Sequence, residues 1–264
     1  RPGSLTESLM NLTLLFNFTK QDLLDRYSGS MLGALWTLLL PLINILIFIV
    51  VFSKLMGAQL PGSSSTQSYS IYLIAGLLAW TAFANTVNRA TRTFHDQSHL
   101  IRKIRVSLPH LPLYIVLSES AVFAISLSGF LVFMLATGNL PHRSIILLPF
   151  VFITQQILAY ALGLLLAILN VFIRDIQEFV GVALQIGFWL TPILYVPDIL
   201  PESFQTLLAY NPCYYFIRAY QSMFILNAPI DTGQLIILVI LAHSLLAGAY
   251  LLFKRLEKDL RDFV

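Results

Sequence analysis

Two arginines stand where polar chain gives way to apolar chain. Arg26 opens the stretch RYSGSMLGALWTLLLPL (26–42), and Arg174 lies in NVFIRDIQEF (170–179). A guanidinium is a planar fork of donors that fits a phosphate bidentately. Arginines at a membrane threshold can therefore hold a phosphorylated headgroup. The alternative is structural, with Arg26 anchoring the interface and Arg174 pairing with Asp175 or Glu178. Glu119 is the one carboxylate well inside an apolar run. It sits about 6 residues in, roughly 9 Å deep at 1.5 Å per residue. A charge there is costly and marks a functional candidate, although an ion pair with Arg89 or another nearby base would satisfy it. Asn44, Gln155, Gln156, Asn170, Gln185 and His243 are milder, and hydrogen bonding between helices accounts for them. His95 and His99 share a metal-compatible i, i+4 spacing, but no third ligand accompanies them, so a solvated pair is the simpler reading.

Other chemistry is missing from the sequence. Nothing matches GxxxxGK[ST], HExxH or GxSxG, and no Cys/His metal spacing occurs. The single cysteine, Cys213, excludes an intrachain disulfide and a cysteine-based cluster. No metal site and no nucleic-acid partner is expected. The absence of a catalytic constellation points to transport rather than to an intramembrane enzyme.

The elements that must position these residues follow from composition. Of 264 residues, 57% are hydrophobic and 11% charged, and the mean hydropathy is +0.78. Soluble domains carry about 25% charged residues, so the solvent expected here is lipid. Runs long enough to cross a bilayer, about 20 apolar residues each, are 32–55, 69–87, 113–136, 144–169, 179–196 and 235–253. An all-α membrane protein with six transmembrane helices is expected, because backbone amides in hydrocarbon must bond within their own segment. The first residues are not a signal peptide. Leu5, Leu9, Leu12, Phe16 and Leu23 instead line one face of an amphipathic interface helix over 1–27.

Lys and Arg give the orientation. With the N-terminus in the cytoplasm, the inner side holds Arg1, Lys20, Arg26, Arg89, Arg92, Arg102, Lys103, Arg105, Arg174, Lys254, Arg255, Lys258 and Arg261. Lys54, Arg143 and Arg218 remain outside. Both termini are then cytoplasmic. The inner connection TRTFHDQSHLIRKIRVSLPHL (91–111) contains a short basic helix, Asp96 to Val106. A basic loop drawn to anionic lipid is the alternative reading. The outer connection, 198–231, is apolar and tyrosine-rich but broken at Asn211-Pro212, which fits two re-entrant half-helices.

Three segments in order resemble one family. RYSGSMLGALWTLLLPL resembles the RY…LG…W…P signature at the first span of type-2 ABC exporter permeases. Residues 169–195, LNVFIRDIQEFVGVALQIGFWLTPILY, are similar to their N-x-x-x-RD-I…FWLTPI-Y segment. YNPCYYFIRAYQ (210–221) resembles their outer NP-x-x-x-x-x-R element. The likeness covers essentially the whole chain and is strongest to the subgroup exporting lipid-linked polysaccharides: O-antigen, teichoic acid and some capsules. RVSLPHLPL (105–113) departs from relatives, which often have an aromatic-proline pair there.

The resemblance implies a homodimer in the bacterial inner membrane with two separate ATP-binding subunits. Those subunits carry the ATP and Mg²⁺, and this chain carries no cofactor. It implies that Asp96–Val106 is a coupling helix, with Leu100, Ile101 and Ile104 as apolar knobs among Arg102, Lys103 and Arg105. The substrate would be an undecaprenyl-pyrophosphate-linked glycan, its headgroup met by Arg26, Tyr27, Gly33 and Arg174. Trp36, Phe48, Trp189 and Tyr195 would line its path. Tyr210, Tyr214, Tyr215, Arg218 and Tyr220 would form an outer gate. An interfacial aromatic belt or ordinary packing competes for those aromatics. A permease for drugs or small lipids, and a polytopic membrane enzyme or scaffold, are the rival functions.

Overall fold

The structure, a computed structural model, describes residues 4–26, 30, 33–48, 50–51, 57, 60, 66–103, 108–226 and 229–263. Among them all regular structure is helical: α1 (Ser4–Asp25), α2 (Trp36–Phe48), α3 (Thr66–Asp96), α4 (Ser98–Lys103), α5 (Leu113–Ala136), α6 (Leu148–Phe172), α7 (Ile176–Leu190), α8 (Glu202–Leu208), α9 (Pro212–Gln221) and α10 (Thr232–Phe263). Four helical stretches are long and apolar enough to cross a membrane: Gln67–Asp96, Leu108–Ala136, Arg143–Phe172 and Thr232–Leu260. The expected first span, 32–55, corresponds to α2, and part of its far end lies outside the described residues.

The expected fifth span, 179–196, stops early, at Leu190. Proline disfavours helical backbone in the residue before it. Thr191, before Pro192, is accordingly extended at φ −100°, ψ 133° and closes α7. The expected second span, 69–87, runs on to Asp96. Its last turns carry Asn85, Asn88, Arg89 and Arg92, which a hydropathy threshold rejects; Glu119 and Asp22 on other helices partner Asn85 and Arg89, while Arg92 bonds Asn88 within α3. Of the expected basic helix Asp96–Val106 the described part is Ser98–Lys103, and residues 104–107 lie outside the described set.

Helix α3 is the centre of the molecule. It packs along α6 and α5 and also meets α9 and α7. Small residues permit the α3–α6 approach. A Cβ on Gly163 would collide with the Ala90 methyl. Polar side chains then bond across the seam. Gln155 Nε2 donates to the Ala79 carbonyl at 2.9 Å, Asn170 Nδ2 to Thr91 O at 3.2 Å and Thr86 Oγ1 to Gln156 Oε1 at 3.2 Å. This is the interhelical bonding that the sequence suggested for those amides. On the outer perimeter Val132, Leu135, Phe150, Ile153, Ile236 and Ile240 are exposed, as lipid-facing positions should be.

The 198–231 connection breaks at Asn211, as expected. The Asn211 side chain caps α9 by accepting from Cys213 N at 3.0 Å, and Pro212 occupies the first turn, where a missing amide costs nothing. Asn211 Nδ2 also reaches Thr191 Oγ1 at 2.9 Å, so the end of α7 and the start of α9 are tied together.

Candidate functional site

Charged chemistry converges where the end of α1 meets α3 and α5. Asp22 and Arg26 are one helical turn apart on α1 and so share a face. Arg26 Nη2 donates to Glu119 Oε1 on α5 at 2.6 Å, and Arg89 Nη1 on α3 donates to the same oxygen at 2.6 Å. Arg89 Nη2 also bonds Asp22, and Arg26 Nη2 bonds Asp22 Oδ2 at 3.3 Å. Ser118 accepts from Arg26 Nη2 at 3.0 Å and itself donates to Asp22. Asn85 Nδ2 reaches the second Glu119 oxygen at 3.5 Å. Two cations and two carboxylates close on one another, and Glu119 is only 1% exposed. A buried carboxylate is tolerable only when so paired. The network fastens α1 to the two helices beside it.

Above this network lies a cavity of about 790 Å³. Arg26, Asn85, Asn88, Arg89, Arg92 and Glu119 form its polar end; Leu77, Trp80, Val122, Phe123, Leu184 and Phe188 form apolar wall. Four helices present these faces: α3 through Trp80, Thr81, Ala84, Asn85, Asn88 and Arg92, α5 through Glu119, Val122, Phe123 and Ser126, α7 through Leu184, Gln185 and Phe188, and α2 through Leu40. Gly187 lets α7 lie against the Trp80 ring, since a Cβ there would sit 3.0 Å from it. A volume of this order holds a headgroup and a few attached units (ligand clefts run about 300–1,000 Å³). It does not hold a polymer. Cationic at one end and aromatic at the other, it suits an amphiphile with an anionic head.

The profile of the ABC-2 type transporter family matches residues 13–225. The chain belongs to that family. This ABC-2 transporter chain is 30% identical over 245 residues to an O-antigen export system permease protein RfbA of Klebsiella pneumoniae, with 92% of each chain covered. A second protein of that name from the same organism is 29% identical over 245 residues, with the same coverage. One from Myxococcus xanthus is 30% identical over 253 residues, covering 95% of each. The chain is thus an integral, multi-pass transporter subunit.

In this ABC-2 transporter chain, the structure gathers some expected site residues and disperses others. Arg26 is on the cavity wall, and Tyr27 lies outside the described residues. Gly33 turns the chain into α2 with φ +47°, a conformation that favours glycine. Arg174 is exposed in the α6–α7 turn, does not line the cavity and makes no ion pair among the described residues. The pairing with Asp175 or Glu178 is therefore not seen.

Of the expected path, Trp36 bonds Ser30 Oγ at 2.8 Å at the start of α2, and the Phe48 side chain lies outside the described residues. Trp189 is 57% exposed and Tyr195 half-buried, linked by the Tyr195 hydroxyl donating to the Trp189 carbonyl at 3.0 Å. Neither lines the cavity, whose aromatics are Trp80, Phe123 and Phe188.

Tyr214, Tyr215 and Arg218 come together around a smaller cavity of about 140 Å³ with Asp231 and Gln234. Tyr210 projects outward at 81% exposure. Tyr220 departs from the gate expectation, being buried against the Phe123 ring at 6.0 Å. Ile101 also departs. At 9% exposure it belongs to one apolar cluster of its own chain with Phe94, Leu108, Leu111, Tyr114, Phe253 and Leu260, so in the single chain it is not a free knob. Leu100, Arg102 and Lys103 share its helix, while Ile104 and Arg105 lie outside the described residues.

His95 meets the Asn170 carbonyl at 3.1 Å, His243 bonds Val239 O within its own helix at 2.8 Å, and Gln185 borders the cavity. The Asn44 side chain lies outside the described residues. Trp80, Asn85, Asn88, Arg92 and Asp22 escaped the sequence reading. The signal for Asn85, Asn88 and Arg92 was a polar stripe that they form with Thr81, at spacings of four, three and four across the apparent end of an apolar run.

Proposed function

We propose that this chain is the transmembrane subunit of an ATP-driven exporter that moves undecaprenyl-pyrophosphate-linked polysaccharide, foremost O-antigen, across a bacterial inner membrane. The observation that carries this reading is the similarity, over 92–95% of each chain, to permeases named for O-antigen export. The cavity supports it by joining arginines to an apolar, aromatic wall within one site. A lipid diphosphate needs both, a fixed cation for the head and apolar surface for the first units of the tail.

The working unit is a homodimer with two ATP-binding subunits, which hold ATP and Mg²⁺. Six spans place both ends in the cytoplasm, where most Lys and Arg then lie. ATP closes the engine subunits, and α4 passes that motion on. Ile101 supports this role from inside the chain, because its packing joins α4 to α3, α5 and α10 in one apolar cluster. Arg26, Tyr27, Gly33 and Arg174 stand at the inner threshold where a headgroup enters. Trp36, Phe48, Trp189 and Tyr195 border the glycan path at the junction between two copies. Tyr210, Tyr214, Tyr215 and Arg218 act at the outer exit, in helices that enter the membrane from outside and return.

The test is reconstitution. The chain co-expressed with an ATP-binding subunit should copurify with it and move undecaprenyl-diphosphate-linked glycan across vesicles only with ATP. Movement at an undiminished rate by the chain alone would defeat the proposal.

A further inference from the structure

Three described arginines border the cavity, and two of them are already occupied. Arg26 and Arg89 are matched by Asp22 and Glu119, charge for charge. Among the described residues Glu119 is the only carboxylate on the wall, and both cations already converge on one of its oxygens. An incoming anion would have to compete with those carboxylates for either arginine.

Arg92 is different. It stands three residues beyond Arg89 on α3, on a neighbouring part of the same face. Its Nη2 donates to Asn88 Oδ1 at 3.2 Å. Its Nε is buried and has no hydrogen-bond partner, and no carboxylate lies within 4.0 Å of it, among the described residues. A guanidinium carries five N–H donors in a fixed fork, and a buried donor left unmade is expensive. Asn88, by accepting from Arg92 through its Oδ1, keeps its own amide hydrogens for a second acceptor. Both residues line the cavity. Along the same helix the Trp80 ring lies about 18 Å away, at 1.5 Å per residue. That stretch runs from a free cation to an apolar wall.

We propose that Arg92, with Asn88, is the phosphate-binding group of the cavity, and that the Arg26–Glu119–Arg89–Asp22 network is the scaffold holding that group in place. The ligand class is the diphosphate ester of a long lipid alcohol. Arg92 forks onto the phosphate oxygens, Asn88 donates beside it, and the lipid's first units lie toward Trp80 and Phe188. This rests on the substrate reading above and adds the residue that recognises the head. It also assigns Arg26 a positioning role.

The test is equilibrium binding of radiolabelled undecaprenyl diphosphate to the full chain, assembled with its ATP-binding subunit in nanodiscs. Arg92→Gln should weaken binding at least tenfold. Arg92→Lys, which keeps the charge and loses the fork, should fall between that variant and wild type, so a folding failure of one variant does not decide the matter. Arg143→Gln, at an exposed position far along the sequence, should bind like wild type. Arg26→Gln should lower the unfolding temperature and, measured where it is still folded, should weaken binding less than Arg92→Gln does.

Unlabelled inorganic pyrophosphate separates the sources of the anion. Weak competition supports a lipid-borne head. Competition equal to that of unlabelled undecaprenyl diphosphate would overturn the lipid part of the assignment. Wild-type binding with an R92Q curve within twofold of it would overturn the role of Arg92 and leave the substrate reading standing. Equal losses in R26Q and R92Q would overturn the division between scaffold and ligand group. Failure of the wild-type complex to bind undecaprenyl diphosphate would overturn the substrate reading and this assignment with it.

Discussion

Glu119 receives two guanidinium groups on a single oxygen, each at 2.6 Å, while almost wholly buried. Such a group holds its neighbours in place by what its loss would expose. With Glu119→Gln, Arg26 and Arg89 would share Asp22 alone, leaving an uncompensated positive charge among the helices. Losing a charged hydrogen bond in this setting costs about 1–3 kcal/mol, so E119Q should lower the unfolding temperature of the purified protein. The double variant E119Q/R89Q removes the surplus cation and should recover part of that loss. Residues in one network are non-additive by about 0.5–3 kcal/mol. Strict additivity in the thermal melts would mean that the network does not act as a unit.

The element that organises the molecule is α3, and its approach to α6 depends on small residues. The Ala90 methyl occupies the space that a Gly163 side chain would need. Gly163→Ala should therefore separate the helices and strain the amide bonds across the seam. Overpacking of this kind costs about 1–3 kcal/mol. Moving the methyl from one helix to the other, in Ala90→Gly with Gly163→Ala, should restore most of the melting temperature. No recovery would mean that the seam is not closed by this contact. At the inner end, Ile101 ties α4 to the cluster around Phe94 and Phe253. Ile101→Ala should leave ATP hydrolysis by the assembled transporter within about twofold and reduce glycan export much further, because a loosened lever moves without transmitting. Parallel losses of hydrolysis and export would argue that Ile101 serves assembly instead.

The distribution of basic residues predicts which end of the molecule faces the cytoplasm, and labelling tests it. His99, on α4, and Asp198, before α8, are both exposed. In a Cys213→Ser background, His99→Cys should react with a membrane-impermeant maleimide only after the cells are opened. Asp198→Cys should react in intact spheroplasts. The reverse pattern would invert the molecule and move the Arg92 cavity away from the leaflet where a lipid-linked substrate is made. The exposed apolar residues of α7, Phe179, Val182, Ile186 and Trp189, also belong to this scale. They face outward from the single chain.

Hydropathy and turn chemistry were legible in the chain itself. The span at Leu113–Ala136 has the limits its apolar run predicts, and the α8–α9 break falls at Asn211-Pro212, where an amide donor is missing and a cap is present. Those features are local, set by a few neighbouring residues and by solvent, and the same holds for membership of the family. The end of α7 was also written locally, in Thr191-Pro192, but the apolar run hid it. The extension of α3 to Asp96 was not written locally. Asn85 and Arg89 look like loop residues until α1 and α5 supply partners from 30 or more positions away. Which arginine is spent and which is free likewise depends on carboxylates that only folding brings near. Sequence determined that this is a helical membrane protein with a charged threshold. The tertiary structure decided which charges cancel, because Coulomb pairing in a dry interior depends on separations of a few ångströms, and chain order does not set those.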